Sequence, residues 1–309
     1  MKANQSIALL TMAIIFLVSA ALAQEPAYQD IVEPAVQGSV NWTKGTISAG
    51  GIAFPPDNVT DPSRARVMTE RAAFVVALRN LLEVVKGVRV DATTVVENFM
   101  LKSDTIQTQV SGFVRGAQTA GKKVNPDGSV EVIVVVPLWG DGALTGLLAD
   151  TKKVGTQVIE TAPSPGDYTE LILDARGMGI TPVVFPTIAD ESGNVIYAPD
   201  YVSREDALRS GMARYVTTKP EVRSQKFEDR SDSSSAQGGR KPLKIKAVGK
   251  DKKLSANLII SADDAKKVKA SDKIADFLRR CRVTIIIDAL ISGTEGKLAP
   301  GYWSLVSEK

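Results

Sequence analysis

The chain has 309 residues, 44% of them hydrophobic, with no histidine, one cysteine and a formal net charge of +3. The lack of histidine excludes Ser-His-Asp and Cys-His nucleophilic sites, together with metal sites built on imidazole. A charge so close to balance gives no reason to expect nucleic acid as a partner.

The first 23 residues have the pattern of a signal peptide. Lys2 supplies a positive charge, Ile7 to Val18 form an apolar run, and Ala21 to Ala23 offer the small residues that precede a cleavage site. Because this run is shorter than the roughly 20 residues of a membrane-spanning helix, we expect export and a mature chain that begins at Gln24. An uncleaved anchor is the alternative. Position 24 lacks the cysteine of a bacterial lipoprotein, so membrane attachment should come from protein contacts.

Residues 24–60 are expected to form an N-terminal arm. The stretch from Val40 to Ala53 predicts two strands joined by a turn at Lys44-Gly45. Trp42 and Ile47 are candidate contacts between subunits, because an edge strand can join the sheet of a neighbouring copy. The alternative is that the strand pair completes its own sheet.

Residues 61–160 are predicted to form an α+β domain. Asp61-Pro62 is typical of a helix start, and Gly87 is placed to end the helix in the left-handed conformation. The segment 88–96 predicts a strand, and Ser103 should cap a second helix. The predicted core face of the first helix, at helical spacing, is Val67, Phe74, Leu78, Leu81, Leu82 and Val85, and that of the second is Ile106, Val110 and Phe113.

The same domain should end in a hairpin and a helix. Gly116 to Val136 predict two strands around the turn Asn125-Pro-Asp-Gly128, and residues 143–154 predict a helix. The loop Gly116 to Lys123 nearly matches a phosphate-binding loop, but Lys123 replaces the required Ser or Thr and no helix follows. We therefore expect no nucleotide.

Residues 167–309 are predicted to form a second α+β domain. We expect strands at 168–174, 243–248, 254–261 and 283–287, a hairpin that pairs 180–188 with 194–197, and helices at 204–215 and 262–280. A disordered-looking insertion should cover 228–239. Hairpins mixed with helices indicate an α+β fold of two small units of antiparallel hairpins after a signal peptide.

Few candidate sites emerge from this half. Asp190 to Asn194 hold too few oxygen donors for a calcium loop, and a polar hairpin turn explains them, so we expect no metal, cofactor or catalytic site.

Cys281 is predicted to be a small buried hydrophobe, with an intermolecular disulfide as the alternative. The candidate binding site for an anionic partner is a basic cluster: Arg240, Lys241, Lys244, Lys246, Lys250 and Lys252. A solvated strand edge protected by lysines is the competing interpretation.

The segments Arg71 to Phe74, Ala77 to Leu81, Val85 to Val90, Gly112 to Gly116 and Asp127 to Val132 resemble the LPP-twenty-like envelope lipoproteins, which include the flagellar proteins FlgP and FlgT. Leu171 to Gly177 and Pro182 to Tyr197 are similar to the second unit of longer relatives. The resemblance implies an outer-membrane-associated or periplasmic protein, and in the flagellar members one that assembles into rings or discs around the motor. It implies no catalytic residues.

We therefore expect a non-enzymatic structural protein of the envelope that forms homo-oligomers and joins envelope or flagellar proteins. The competing hypothesis is a periplasmic binding or adaptor module for an anionic envelope component, which would use the basic cluster. An enzyme is the least favoured class, because the residues present in the chain allow few of the known arrangements of catalytic side chains.

Overall fold

The computed structural model describes residues 28–157, 168–218, 241–250 and 257–290. The predicted signal peptide and the 228–239 insertion lie outside these residues. The helices are α1 (Pro62–Gly87), α2 (Val96–Met100), α3 (Asp104–Arg115), α4 (Leu144–Leu148), α5 (Arg204–Ser210) and α6 (Ala262–Ala275). The first strands are β1 (Tyr28–Asp30), β2 (Val32–Ala35), β3 (Gly38–Asn41), β4 (Thr46–Ala53), β5 (Gln118–Val124) and β6 (Val130–Pro137). The later strands are β7 (Glu170–Asp174), β8 (Ile188–Asp190), β9 (Val195–Tyr197), β10 (Arg214–Thr218), β11 (Pro242–Lys246), β12 (Gly249–Lys250), β13 (Leu258–Ile260) and β14 (Val283–Ile286).

The chain divides into two compact units. The smaller unit is described only at Tyr28, Gln29 and Thr218, and the larger unit contains residues 30–217 and 232–309. Within the larger unit, buried residues from both predicted domains, for example Leu81 and Leu173, belong to one contiguous hydrophobic cluster. The division of this unit near residues 160–167 stays a prediction.

The N-terminal sheet has the strand order β2-β3-β4-β6-β5, and every pair in it is antiparallel. The two predicted hairpins are confirmed, one around Lys44-Gly45 and one around residues 125–128. Helix α1 lies across one face of this sheet. A second, small sheet has the order β12-β13-β8-β9, in which the predicted hairpin at 190–193 joins β8 to β9.

The α+β class is thus confirmed, but the strand direction in the C-terminal half differs from the prediction. There β10, β14, β7 and β11 are neighbours in that order, and all three of these pairs are parallel. Hydrophobic patterning reports which faces of a strand are buried and carries no information on the direction of its partner. The parallel arrangement therefore cannot be predicted from this pattern.

Helix α1 begins as predicted but buries a different face. The Asp61 side chain accepts hydrogen bonds from the backbone N–H groups of Ser63 and Arg64 at 2.9 and 3.4 Å. The buried positions of α1 recur every four residues, and most of them carry small side chains: Ala65, Thr69, Ala73, Ala77 and Leu81. Of the predicted stripe, Leu81 and Val85 are fully buried, Phe74, Leu78 and Leu82 are partly buried, and Val67 is 67% exposed.

Close approach of α1 to β4 explains this choice of face. A Cβ added at Gly51 would lie 2.3 Å from the Ala77 nitrogen and 2.4 Å from the Ala73 oxygen, so the helix backbone rests directly on the strand. Only small residues fit between them, and a hydrophobicity pattern ranks such residues below Val and Phe. Gly87 does not take the left-handed conformation; the helix ends where Val88 becomes extended.

Three other predicted elements are wrong. In place of the strand predicted at 88–96, residues 89–95 form a tight turn, because the Asp91 side chain accepts from the N–H groups of Thr93 and Thr94, both at 2.9 Å. The helix predicted at 204–215 ends at Ser210, where Gly211 has φ of 75°, and β10 follows. The strand predicted from 180 starts only at Ile188. The helix predicted at 143–154 is the short α4, and the other predicted helices and strands are confirmed with shifts at their ends.

Candidate functional site

A small groove of about 290 Å³ lies between the N-terminal half of α1 and β5. Val132 on β6 is 2% exposed, while Val67 on α1 is 67% exposed. The buried valine thus forms the floor of the groove and the exposed one forms a wall. The lining residues are Val67, Glu70, Arg71, Phe74, Thr119, Lys122 and Val132.

Helix spacing and strand register bring these side chains together. Val67, Arg71 and Phe74 are four and three residues apart, so they share one side of α1. In the sheet, Val132 pairs with Gly51, which contacts α1, and with Lys122 on its other side. Lys122 therefore faces α1, and its Nζ lies 2.7 Å from the Glu70 carboxylate.

The groove is bordered by a strand edge. β5 ends the N-terminal sheet, and none of the described strands pairs with its outer side. The Asn125 N–H donates to the Ser129 oxygen at 2.9 Å, so these two residues form a hydrogen-bonded pair at the end of the hairpin. Counting back along β5 from this pair shows which residues bond to β6. In an antiparallel pair, every second residue turns its N–H and C=O away from its partner. Lys122 and Val124 thus present these backbone groups on the open edge.

The charge around the groove is positive. The Lys122–Glu70 ion pair is about 40% exposed on each side chain, which is too solvated to anchor the fold. Arg71 is exposed and forms no ion pair within the described residues, and Arg64 lies on the same side of α1 two turns earlier. An acidic group entering the groove would meet cations on both walls.

The basic cluster predicted from sequence is split in the structure. Lys244 and Lys246 are exposed on β11, with Lys241 just before the strand, 5.5 Å above the ring of Tyr168. Lys250 instead lies in the small sheet and donates to the Gly179 oxygen at 3.3 Å. Arg240 and Lys252 lie outside the described residues. The six residues therefore do not form one continuous strand surface.

The two lysines of β11 lie on the same face of the parallel sheet. In the register, Lys244 pairs with Ile172, Ile172 with Thr284, and Thr284 with Arg214, so these four residues share one face. Its centre is a separate apolar cluster of Ile172, Val216 and Ile286. These three residues are buried, so the part of this face that solvent reaches is formed by the exposed cations Lys244, Lys246 and Arg214.

Trp42 and Ile47, the candidate subunit contacts, are buried in the chain's own core. Trp42 is 1% exposed, and its indole N–H donates to Glu33 at 2.8 Å. Ile47 is fully buried between Val40 and Val136 of the neighbouring strands. In this structure the strand pair completes its own sheet, and neither side chain reaches the surface.

Carboxylates elsewhere are held by local bonds. The Asp190 carboxylate accepts from the Asn194 side chain and from the backbone N–H groups of Asn194 and Ser192, which lowers its pKa. At the carboxyl end of β7, Arg176 donates two bonds to Asp174, at 2.8 and 2.6 Å. These contacts stabilise turns. No group of three metal-binding side chains occurs among the residues that the structure describes.

Cys281 lies in the core beside Tyr197. The thiol residue is 8% exposed, and burial raises its pKa to about 12. The Tyr197 hydroxyl donates to the Met212 oxygen at 2.5 Å. A protonated, buried thiol has neither the thiolate nor the access that reactivity requires. The prediction that Cys281 is a small buried residue is confirmed.

The near-match to a phosphate-binding loop becomes the end of α3 and the bulged strand β5. No helix N-terminus follows it, so the geometry that binds phosphate is missing at this position. Within the described ranges, no helix has both the length and the apolar character needed to cross a membrane.

Residues 170–289 match the family model of the second domain of Tp0624 from Treponema pallidum. This stretch contains the parallel sheet, the small sheet and α6. No curated protein matches the chain significantly.

Proposed function

We propose that this chain is a non-enzymatic, exported structural protein of the cell envelope that acts through noncovalent contacts with other protein chains. The observation that carries the proposal is the groove beside the open edge of β5. A strand edge next to apolar side chains is the kind of surface to which proteins add a strand of a partner. The signal-peptide pattern and the resemblance to envelope lipoproteins support a place in the periplasm, peripheral to the outer membrane.

Self-association into homo-oligomers belongs to this proposal, with a flagellum-linked assembly as a candidate location. Because Trp42 and Ile47 are buried, the contacts must use other residues. α1 exposes Val67, Met68 and Val75, of which Val67 borders the groove. Apolar side chains exposed together on one helix are a common feature of protein interfaces.

Two experiments on the intact protein test this proposal. Sedimentation of residues 24–309 over a wide concentration range should show species larger than the monomer. Deletion of the gene should impair motility or envelope integrity. Two results together would contradict the proposal. The purified protein would stay monomeric at every concentration, and deletion of the gene would change neither motility nor envelope integrity.

The adaptor hypothesis is favoured by a separate observation, the exposed cations Lys244, Lys246 and Arg214 on one face of the parallel sheet. Neutralising Lys244 and Lys246 to Gln should weaken retention of the protein on an anionic glycan or lipid matrix. Lys266→Gln with Lys267→Gln is the matched control, because both lysines are exposed on α6 and the charge loss is equal. Equal retention of the two double variants would remove this hypothesis.

A further inference from the structure

We infer that the groove between α1 and β5 binds an extended acidic peptide, which adds to β5 as an extra strand. The inference rests on the proposed function, since it names the class of partner that the groove takes. It concerns a surface that differs from the predicted basic cluster.

The open edge supplies the backbone contacts. Lys122 and Val124 present their N–H and C=O groups outward, at positions two residues apart. An added strand would pair with both residues and place every second side chain on the α1 side. The bulge between Thr119 and Gly121 interrupts the edge, so the straight part that can accept a partner is Gly121 to Val124.

The groove supplies the side-chain contacts. Val132 forms an apolar floor, with Phe74 half-buried and Val67 exposed beside it. The volume of about 290 Å³ is enough for a few side chains of a peptide.

Charge determines what kind of peptide fits. Arg71 and Lys122 line the groove, and Glu70 is the acidic residue that lines it with them. Lysines on an edge strand oppose indiscriminate pairing with neutral strands. The same cations attract a strand that carries Asp or Glu. An acidic peptide is therefore admitted where a neutral or basic one is disfavoured.

A second copy of this chain fits the groove less well. Pairing of two β5 edges would bring Arg71 and Lys122 of both copies together, with repulsion between like charges. The other edge of the N-terminal sheet is β2, which has four residues and contains Pro34. Proline cannot donate a backbone hydrogen bond to a neighbouring strand. The partner at this groove is therefore a different, acidic segment.

The test starts from a phage-displayed library of random dodecapeptides, selected on purified residues 24–309. The selected peptides should carry both apolar and acidic residues at every second position, because only these positions face α1. A labelled peptide from this set should bind at least tenfold more weakly to Arg71→Gln with Lys122→Gln. The affinity of the peptide for the control double variant, Arg79→Gln with Lys123→Gln, should stay within twofold of its affinity for the original protein. This control removes the same charge from the same two elements, but Lys123 pairs with Glu131 on the opposite sheet face.

A backbone variant of the peptide tests strand addition itself. N-methylation of the amides that face β5 should abolish binding, whereas methylation of the alternate amides should leave it unchanged. Circular dichroism melting curves confirm that each protein variant is folded. The inference is overturned if no peptide is enriched, if the two double variants bind equally, or if both methylated peptides bind equally. It is also overturned if the groove variants lose binding to phosphatidylglycerol vesicles while peptides never bind.

These outcomes separate the inference from the proposed function. If no peptide binds but the protein still co-purifies with envelope proteins, only the inference fails. If peptides bind but the protein has no partner in the envelope and no deletion phenotype, the proposed function fails and the groove remains a peptide site.

Discussion

Trp42 packs edge-on against Tyr215, with ring centroids 6.0 Å apart and an interplanar angle of 72°. The two residues are far apart in the chain, and a hydrogen bond of 2.5 Å from the Thr43 hydroxyl to the Tyr215 backbone oxygen joins the same two segments. Glu33 adds to this contact, since it accepts from Trp42 and forms an ion pair with Arg89. The part of the N-terminal arm that contains Glu33, Trp42 and Thr43 is therefore part of the core of the larger unit.

Replacement of Trp42 by Ala should lower the free energy of unfolding by about 3–5 kcal/mol, because it removes a fully buried aromatic side chain and leaves a cavity. Urea denaturation followed by circular dichroism measures the change. Phe54→Ala is the control, since Phe54 is 65% exposed and its loss should cost less than about 0.5 kcal/mol. Equal effects of the two substitutions would show that Trp42 is not packed as described.

Deletion of residues 24–53 should abolish cooperative unfolding, because it removes β3, β4 and Trp42 from the core. A strand pair that merely exchanges between subunits would instead leave a folded monomer. Calorimetry of the truncated protein distinguishes the two outcomes. A sharp unfolding transition in the truncated protein would support strand exchange and contradict the role of the arm described here.

Gly51→Ala should destabilise the protein by about 1–3 kcal/mol, the usual cost of adding a methyl group to a packed contact. The added Cβ would meet the α1 backbone at 2.3 Å. Gly112→Ala is the matched control, because its Cβ meets nothing within 4 Å and alanine suits the interior of α3. That variant should gain stability, so the two substitutions should have opposite signs in thermal denaturation. A neutral Gly51→Ala would show that α1 and β4 are farther apart.

Much of this arrangement could be predicted from local signals. Asp61-Pro62 and Ser103 mark helix starts because their side chains bond to nearby backbone N–H groups, and Asn125 to Gly128 mark a hairpin for similar local reasons. The face of α1 could not be predicted, since its choice depends on Gly51 in a strand that is distant in sequence. The direction of the parallel strands is likewise a property of partners that sequence periodicity does not encode.

The candidate site shows the same division. A basic cluster is visible in sequence, but the structure distributes Lys244 and Lys250 between two sheets. The groove is not apparent from the sequence, because Val67 fits the predicted core face of α1 and Lys122 falls in a near-match to a phosphate-binding loop. Only the register of β5 with β6 places Lys122 opposite α1. The signal that could have indicated the groove is an exposed apolar residue, Val67, on a helix that lies next to an edge strand.

The stability of the protein should depend on pH through Asp272. Burial, with help from nearby Asp276, raises the pKa of this carboxyl from 3.8 to about 6, and the carboxylate accepts from the Leu278 N–H at 2.7 Å. Because the folded chain holds this proton more tightly than the unfolded chain, Asp272 lowers stability progressively as pH rises from about 4 to about 6.

Asp272→Asn removes this titration and keeps an oxygen that can accept from Leu278. Relative to the original protein, the variant should become more stable as pH rises through that window and show a constant difference above it. Urea midpoints at several pH values measure the difference. A difference that does not change with pH would contradict the raised pKa.

Cys281 should not react with a thiol reagent such as Ellman's reagent in the native state at neutral pH, because its thiol is buried and protonated. One equivalent should react after unfolding in urea. Non-reducing electrophoresis should show no disulfide-linked dimer. Rapid reaction in the native protein, or a dimer that reductant dissolves, would favour the intermolecular disulfide instead.

The most direct test of the central claim, that this protein works through protein contacts at the groove, is photo-crosslinking in intact cells. A photoreactive amino acid replaces Thr119, which lines the groove, or Arg79, which is exposed on α1 outside the groove lining. The account predicts a discrete crosslinked adduct with an envelope protein from position 119 and none from position 79. Absence of any adduct from position 119, or the same adducts from both positions, would contradict it.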